Sequence, residues 1–252
     1  MDGEKTSDLK TTKKLLQEPY SERFKDRKPR IFVGVVAYGD VDAQILESWV
    51  HWAMYAGKNY SERFEISFGI AHKMEQYRAR NKLIKEAIEH DADFLLMIDD
   101  DHTVHDCIDM IDKFYDLEKP VQGGLYIQRR DDRLVPVVMK YDQNDTIRFL
   151  EMDELPTEPG PVDVTGGGIN WIDMKIMYFL TEPWWWPNPY KPENVVFLPK
   201  IRFGLDINFC MKVKRELDID TWLNTNVRVG HLVAERRIVR VINGIDADEA
   251  RV

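Results

Sequence analysis

Between Arg30 and Ile127 the sequence alternates short apolar runs with longer stretches of helical periodicity. "RIFVGVVAYG" is continuously apolar from Ile31 to Ala37 and closes on Gly39 and Asp40, the pattern of a strand buried on both faces. "AQILESWVHWAMYAG" sets Ile45, Trp49, Trp52 and Ala53 at helical spacing and stops at Gly57. "FEISFGIA" then reads as a second strand. "QYRARNKLIKEAIEHD" follows as a helix with Leu83, Ile84, Ala87 and Ile88 on one side. "DFLLMID" is a third, wholly apolar strand, "HDCIDMIDKFYDL" a helix and "PVQGGLYI" a fourth strand. Strands alternating with helices of this length predict a parallel sheet covered on both faces. Ligands of such sheets collect at the carboxyl ends of the strands, near the point where strand order reverses.

The flanks read differently. Residues 1–29 are polar and Lys-rich and are expected to form a loose arm with one short helix around Lys13 to Gln17. After residue 128, "RLVPVVMKYD" and "TIRFLEM" form an expected hairpin across "QNDT". "PVDVTGGGINWIDMKIM" predicts a short strand, three glycines and a helix. "TEPWWWPNPYKPEN" is a loop rich in Pro and Trp, "FGLDINFCMKVKREL" a helix, and "VRVGHLV" a late strand carrying His231. No linker divides this half from the first. The organisation expected is an arm (1–29) and one domain (30–252), with a nucleotide-binding half at 30–128 and an acceptor-side catalytic half at 129–252.

The net charge of −9 disfavours a partner held by bulk attraction to duplex phosphates, although "QRRDDR" and "KVKR" leave room for a local basic groove. Cys107 and Cys210 match no zinc spacing and are read as small buried side chains in a reducing compartment. No apolar run approaches the ~20 residues of a membrane span, and the polar N-terminus lacks a signal-peptide core. A cytoplasmic protein with no membrane span is expected.

The strongest chemical signal is "DADFLLMIDDDHTV", where five apolar residues, Phe94 to Ile98, run into three aspartates and a histidine. Carboxylates at the end of a buried strand are costly unless something positive meets them. Asp99 and Asp101 flank one residue, so in a bend both can face one hard divalent cation, whose remaining places phosphate and water can fill. Asp100 would point away, to a backbone or a ribose hydroxyl. Taken alone the triplet also fits a solvated acidic turn. Gly166, Gly167 and Gly168 allow close backbone approach to a sugar, with Thr165 and Asn170 as polar handles, or else form a tight turn. Three Trp in one Pro-bounded loop cannot all be core. One or two would pack down and the rest face an acceptor, and Trp185 and Trp186 are the candidates.

"ARNKLIKEAIEHDADFLLMIDDDHTV" resembles the nucleotide-binding half of metal-dependent, family 2-like glycosyltransferases of GT-A fold, in which an Ala-Arg-Asn-like helix start precedes a strand ending in Asp-x-Asp. "GGLY", "VTGGGINWIDMKIM", "FGLDINFCMKVK" and "VRVGHL" are similar to later family segments, in the family's order, over roughly Arg30 to Val233. The resemblance implies an α/β GT-A fold: a Rossmann-like, mostly parallel sheet flanked by helices, with a smaller acceptor-side sheet. It implies that Asp99, Asp101 and His231 hold Mn²⁺ or Mg²⁺, with imidazole favouring Mn²⁺. His102 ranks behind His231, because it is expected to follow Asp101 into the next helix. Asp99 and Asp100, with Ala37, Tyr38 and Asp40 after the first strand, would meet the nucleotide, Tyr38 stacking on uracil. Arg78 and Arg80 point to different sides of their helix, and Arg80 matches the motif and could reach the diphosphate or the acidic cluster. The glycines and Thr165 would read donor hydroxyls.

Asp206 would be the general base, although its place at a helix start equally suits a first-turn carboxylate facing the helix dipole. Leu205 stands where the family usually has Glu, which leaves one carboxylate for the work. The implied activity is hexosyl transfer from a nucleotide-sugar, taken to be a UDP-sugar, to an acceptor hydroxyl with inversion. The acceptor is open between a saccharide, which the acidic charge favours over nucleic acid, and a modified nucleobase. A retaining transferase and a non-catalytic nucleotide-sugar- or carbohydrate-binding protein on the same scaffold are the alternatives.

Overall fold

The computed structural model describes residue 16 and residues 18–130, 133–141, 147–186 and 204–233, with the backbone alone of 237–242 and 246–251. Most of the arm, the "QNDT" connection and the loop beyond Trp186 lie outside the described residues. The helical residues are α1 (Tyr20–Arg23), α2 (Ala43–Asn59), α3 (Gln76–Glu89), α4 (Met110–Asp116) and α5 (Leu205–Leu217). The main sheet takes β1 (Arg30–Ala37), β2 (Glu65–His72), β3 (Phe94–Asp99), β5 (Val121–Leu125), β10 (Gly160–Val162), β12 (Ile169–Asp173) and β13 (Thr221–Arg228). The remaining strands are β4 (His102–Thr103), β6 (Ile127–Arg130), β7 (Arg133–Pro136), β8 (Val138–Tyr141), β9 (Ile147–Phe149), β11 (Val164–Thr165), β14 (Gly230–Val233), β15 (Arg237–Ile242) and β16 (Asp246–Arg251).

The seven-stranded order is β10-β13-β5-β12-β3-β1-β2. β1 pairs in parallel with β2 and β3, and β13 with β5, while β12 runs antiparallel between β3 and β5. β10 runs antiparallel on the outer edge of β13. Smaller sheets β11-β8-β9, β16-β15-β14-β4 and β6-β7 gather beside it. This is an α/β fold of GT-A type, the class the sequence predicts. β1 and β3 are buried almost throughout because strands lie on both their edges and helices over their faces.

Three elements differ from expectation. "INWID" is not the start of a helix but β12, buried at all five positions in mid-sheet, and only a short 3₁₀ turn, Met174–Tyr178, follows. A strand sandwiched on both faces shows no alternation, so the short run could not be told from buried helix. The helix expected over "HDCIDMIDKFYDL" divides into a 3₁₀ turn, His105–Cys107, and α4. Residues 133–136 pair back with β6, leaving β8 and β9 as the second hairpin.

The end of the polar arm is docked. Tyr20 and Phe24 are buried and their rings meet Phe94. Arg23 pairs with the buried Asp173 carboxylate, its Nη2 donating to Oδ1 at 3.0 Å. Tyr20 and Phe24 form an i, i+4 apolar pair within "YSERF", which the polar composition of the arm masks. No helix among the described residues is long and apolar enough to cross a membrane.

Candidate active site

β1, β3, β5 and β13 end at one edge of the sheet, and antiparallel β12 begins there. The sequence therefore delivers Tyr38, Asp99–Asp101, Tyr126, Gly166–Gly168 and His231 to one place, and α5 adds Asp206 from its first turn.

Asp101 and His231, 130 residues apart in the sequence, are brought together. His231 Nε2 lies 3.3 Å from Asp101 Oδ2, and its Nδ1 is 2.8 Å from the Ile127 carbonyl. Donation from Nδ1–H to that carbonyl leaves the Nε2 lone pair facing the carboxylate, the arrangement of a metal-ligating histidine. His102 is the surprise. It does not enter a helix; β4 pairs antiparallel with β14, setting His102 directly opposite His231. Opposed residues share a face, so the imidazoles stack, with centroids 4.8 Å apart and an interplanar angle of 15°. His102 Nδ1 approaches Asp101 Oδ1 to 2.6 Å. The alignment is not that of a hydrogen bond, however, and Asp101 Oδ1 and both His102 ring nitrogens have no hydrogen-bond partner among the described residues.

Asp101, His102 and His231 thus offer three ligand atoms within 4.8 Å of one another. Two donors on opposite sides of an ion of Mg²⁺ size sit about 4.2 Å apart, so separations of this order suit a single ion. One carboxylate and two imidazoles, with buried polar atoms left unpartnered, fit a divalent transition ion better than an oxygen-only ion. Burial works against the charged form of Asp101, yet His102 and His231 outweigh it and hold the carboxyl well below the usual range. Burial pulls His231 down, but Asp101 more than reverses this and its pKa is raised; for the more deeply buried His102, burial wins.

Asp99 belongs to a different cluster. Arg80 Nη2 stands 2.8 Å from both its carboxylate oxygens, and Nη1 donates to the Gly167 carbonyl at 2.9 Å. The guanidinium is buried and lies 4.7 Å from the Trp185 ring centroid. Burial, reinforced by Asp101 and Asp206 against the pull of Arg80, pushes the Asp99 carboxyl up. Asp206 faces the same guanidinium. Burial raises its pKa too, opposed by Arg80 and by a hydrogen bond from the Gly167 amide. Its carboxylate reaches across to the glycine turn, and the α5 N-cap, Gly204, provides no side-chain cap.

The glycines make room for these side chains. A Cβ on Gly166 would strike Tyr126 Oη; on Gly167, Asp206 Oδ1 and Arg80; on Gly168, the His102 ring. Thr165 turns inward over Gly123, and Asn170 Nδ2 donates to the Gly166 carbonyl at 3.0 Å. Asp100 Oδ2 accepts from the Tyr38 amide at 2.8 Å, so it holds the turn after β1 and leaves the Tyr38 ring 72 % exposed beyond buried Ala37. Asp40 is exposed on the same turn. Trp184 and Trp185 pack down, Trp185 stacked on Phe209 at 4.4 Å, while Trp186 is 45 % exposed.

Tyr126 was not singled out from the sequence. Its hydroxyl accepts from the Gly168 amide at 3.2 Å, and its ring stands edge-on to His102 and His231. The available signal was its position, directly after a strand that ends at the ligand edge. Arg80 gives a test of this network. Arg80→Met strands two carboxylates, and unfolding in urea is expected to show a loss of about 3–5 kcal/mol; a loss below about 1 kcal/mol would contradict the buried pairing.

No protein-family model matches the sequence, and no curated protein matches it. Among solved structures, A197 from STIV is 14 % identical with a TM-score of 0.56, over 88 % of this chain and 96 % of that one. HddC from Yersinia pseudotuberculosis complexed with GMP-PN is 12 % identical with a TM-score of 0.32, over 74 % of this chain and 98 % of its own, a likeness too slight to argue from. The chain shares its fold with A197.

Proposed function

We propose that this chain is a metal-dependent glycosyltransferase that moves a sugar from a nucleotide-sugar donor, taken to be a UDP-sugar, to an acceptor hydroxyl with inversion. One observation carries the reading. A carboxylate–imidazole set with three buried polar atoms lacking hydrogen-bond partners among the described residues, and a separate half-buried carboxylate, Asp206, open on the same edge of a GT-A-type sheet, on either side of one glycine turn.

Asp101, His102 and His231 would hold Mn²⁺ or Mg²⁺. Bound there, such an ion supplies Lewis-acid stabilisation of the departing diphosphate. Asp99, expected as a ligand, is instead committed to Arg80, and the pair fixes the guanidinium beneath the turn. Tyr38 offers an exposed face for the base, held by Asp100 from below. Asp206 takes the proton of the acceptor hydroxyl as it attacks the face of the sugar opposite the leaving group. Trp186 provides aromatic surface toward an acceptor, and a saccharide is favoured over nucleic acid.

A raised base pKa has a definite sign. Asp206 acts only when deprotonated, so kcat/KM should rise with pH through a limb lying above the ordinary aspartate value of about 3.9. The limb should vanish in Asp206→Asn. A limb at the ordinary value, or one that persists in the variant, would remove Asp206 from this role. The donor is found by incubating the protein with UDP-glucose, UDP-galactose, UDP-GlcNAc and GDP-mannose and following metal-dependent hydrolysis. Release from none of them would speak against the proposal.

A further inference from the structure

β2 is the outermost strand of the main sheet, and its outer side has no strand beside it among the described residues. Natural edge strands are protected by charge, proline, bulges or shortness. β2 has no proline or bulge and is not short: it runs eight residues, "EISFGIAH", in unbroken register with β1, with its own charge confined to its two ends and one lysine of α3 reaching its outer edge. On one face Ser67, Gly69 and Ala71 turn toward α3, since a Cβ at Gly69 would meet Glu86. On the other, Ile66, Phe68 and Ile70 are 38 %, 53 % and 50 % exposed. From α3, Lys82 touches the Ile70 carbonyl at 3.5 Å but is itself ion-paired with Glu86.

Helix α2 adds to the exposed face. β1 leads through α2 to β2 on one side, and β2 leads through α3 to β3 on the other side of β1. Right-handed crossovers therefore put α2 and α3 on opposite faces. α2 lies on the face of Ile66, Phe68 and Ile70. Its Ser48 flank turns to Val104 and His105, whereas Leu46, Val50 and Met54, at i, i+4 and i+8, are exposed on the opposite flank. Exposed apolar side chains on a strand edge, with more on a helix over the same face, are of the kind that marks an interaction surface.

We infer that β2 pairs antiparallel with β2 of a second copy of this chain, joining two main sheets across a two-fold axis. The strand argues for its own copy. A two-fold axis normal to the sheet keeps each face on its own side, so residues opposite one another must have the same parity. With Phe68 on the axis, Ile66 lies opposite Ile70 of the second copy, Phe68 opposite Phe68, and Ile70 opposite Ile66. The apolar triplet is palindromic and self-complementary, as an isologous contact requires. On the α3 face the same register opposes Ser67 to Gly69 and Glu65 to Ala71, with no like charges facing. Eight residues span about 26 Å, and a ribbon one strand wide, about 5 Å, falls short of the ~800 Å² per partner of a standard interface. The inference therefore requires further apolar surface to be buried, and Leu46, Val50 and Met54, exposed on the helix over the same face, are its candidates.

Sedimentation velocity on the full chain should show a dimer at micromolar concentration. Phe68→Lys, which sets two charges against each other on the axis, should weaken it at least ~100-fold while circular dichroism stays unchanged. Phe68→Cys should cross-link to its own copy on mild oxidation. Ile66→Cys should not, because the two copies of residue 66 stand four residues, about 13 Å, apart along the ribbon. The cysteine pair decides the matter even if the lysine variant misfolds. A monomer at tens of micromolar, a dimer indifferent to Phe68→Lys, or cross-linking through residue 66 as readily as through residue 68 would each overturn the inference. The last two would point to another face or another register.

Discussion

Asp206→Asn is expected to lower kcat by about 10²–10⁴-fold, the usual contribution of a positioned base, and to leave the affinity for Mn²⁺ and UDP unchanged. The two effects separate because Asp206 and the metal-binding set are different clusters. Asp206 hydrogen-bonds the Gly167 amide and faces Arg80, whereas Asp101 meets His102 and His231. The isosteric amide keeps the volume beside Gly167 and the first turn of α5 but cannot take a proton. The measurement is steady-state kinetics beside isothermal titration with UDP and Mn²⁺. Loss of UDP binding in step with turnover would show that Asp206 holds the donor. Retention of turnover would end its role as base.

Asp101→Asn and His231→Ala are expected to act on the other cluster, each reducing metal-dependent UDP affinity by more than about 100-fold. Groups that only support a ligand already contribute 10–100-fold. Asp101 carries the charge of the set, and His231 presents its Nε2 because Ile127 holds its Nδ1. Asp99→Asn should behave differently. Both its oxygens are engaged by Arg80, so the change should loosen Arg80 and the turn at Gly167 and lower kcat more than metal affinity. An Asp99 variant that abolishes metal binding while Asp101→Asn spares it would reverse this assignment and restore Asp99 as the ligand.

These assignments divide along what a local pattern can carry. β1 and β3 were readable because continuous apolar runs of their length suit strands buried on both faces. The helical face of α3 was readable because its apolar positions recur at three and four, and that of α2 in part, since Ile45 and Trp52 are buried while Ala53 is exposed. Asp101 and Asp206 stood out as carboxylates at the end of a strand and the start of a helix. The role of His102 was hidden, since two residues of β4 take their conformation from β14, about 130 residues away, and local periodicity favours continuing toward the helix beyond. β12 was hidden for the opposite reason: its five buried residues show neither period. That Arg80 could meet the acidic cluster was readable, but its engagement of Asp99 in particular depends on how α3 packs over β3, which a motif match does not specify. The glycine turn was noticed for the space it leaves, but that space is taken by Tyr126, Asp206, Arg80 and His102.

The central claim is that Asp101, His102 and His231 grip a divalent cation carrying a nucleotide diphosphate. The direct measurement is anomalous scattering at the manganese edge from crystals soaked with Mn²⁺ and UDP. The account predicts one peak bonded to Asp101 and His231 and touching the diphosphate oxygens. A bound nucleotide with no peak there, or a peak held by Asp99 away from both imidazoles, would contradict it.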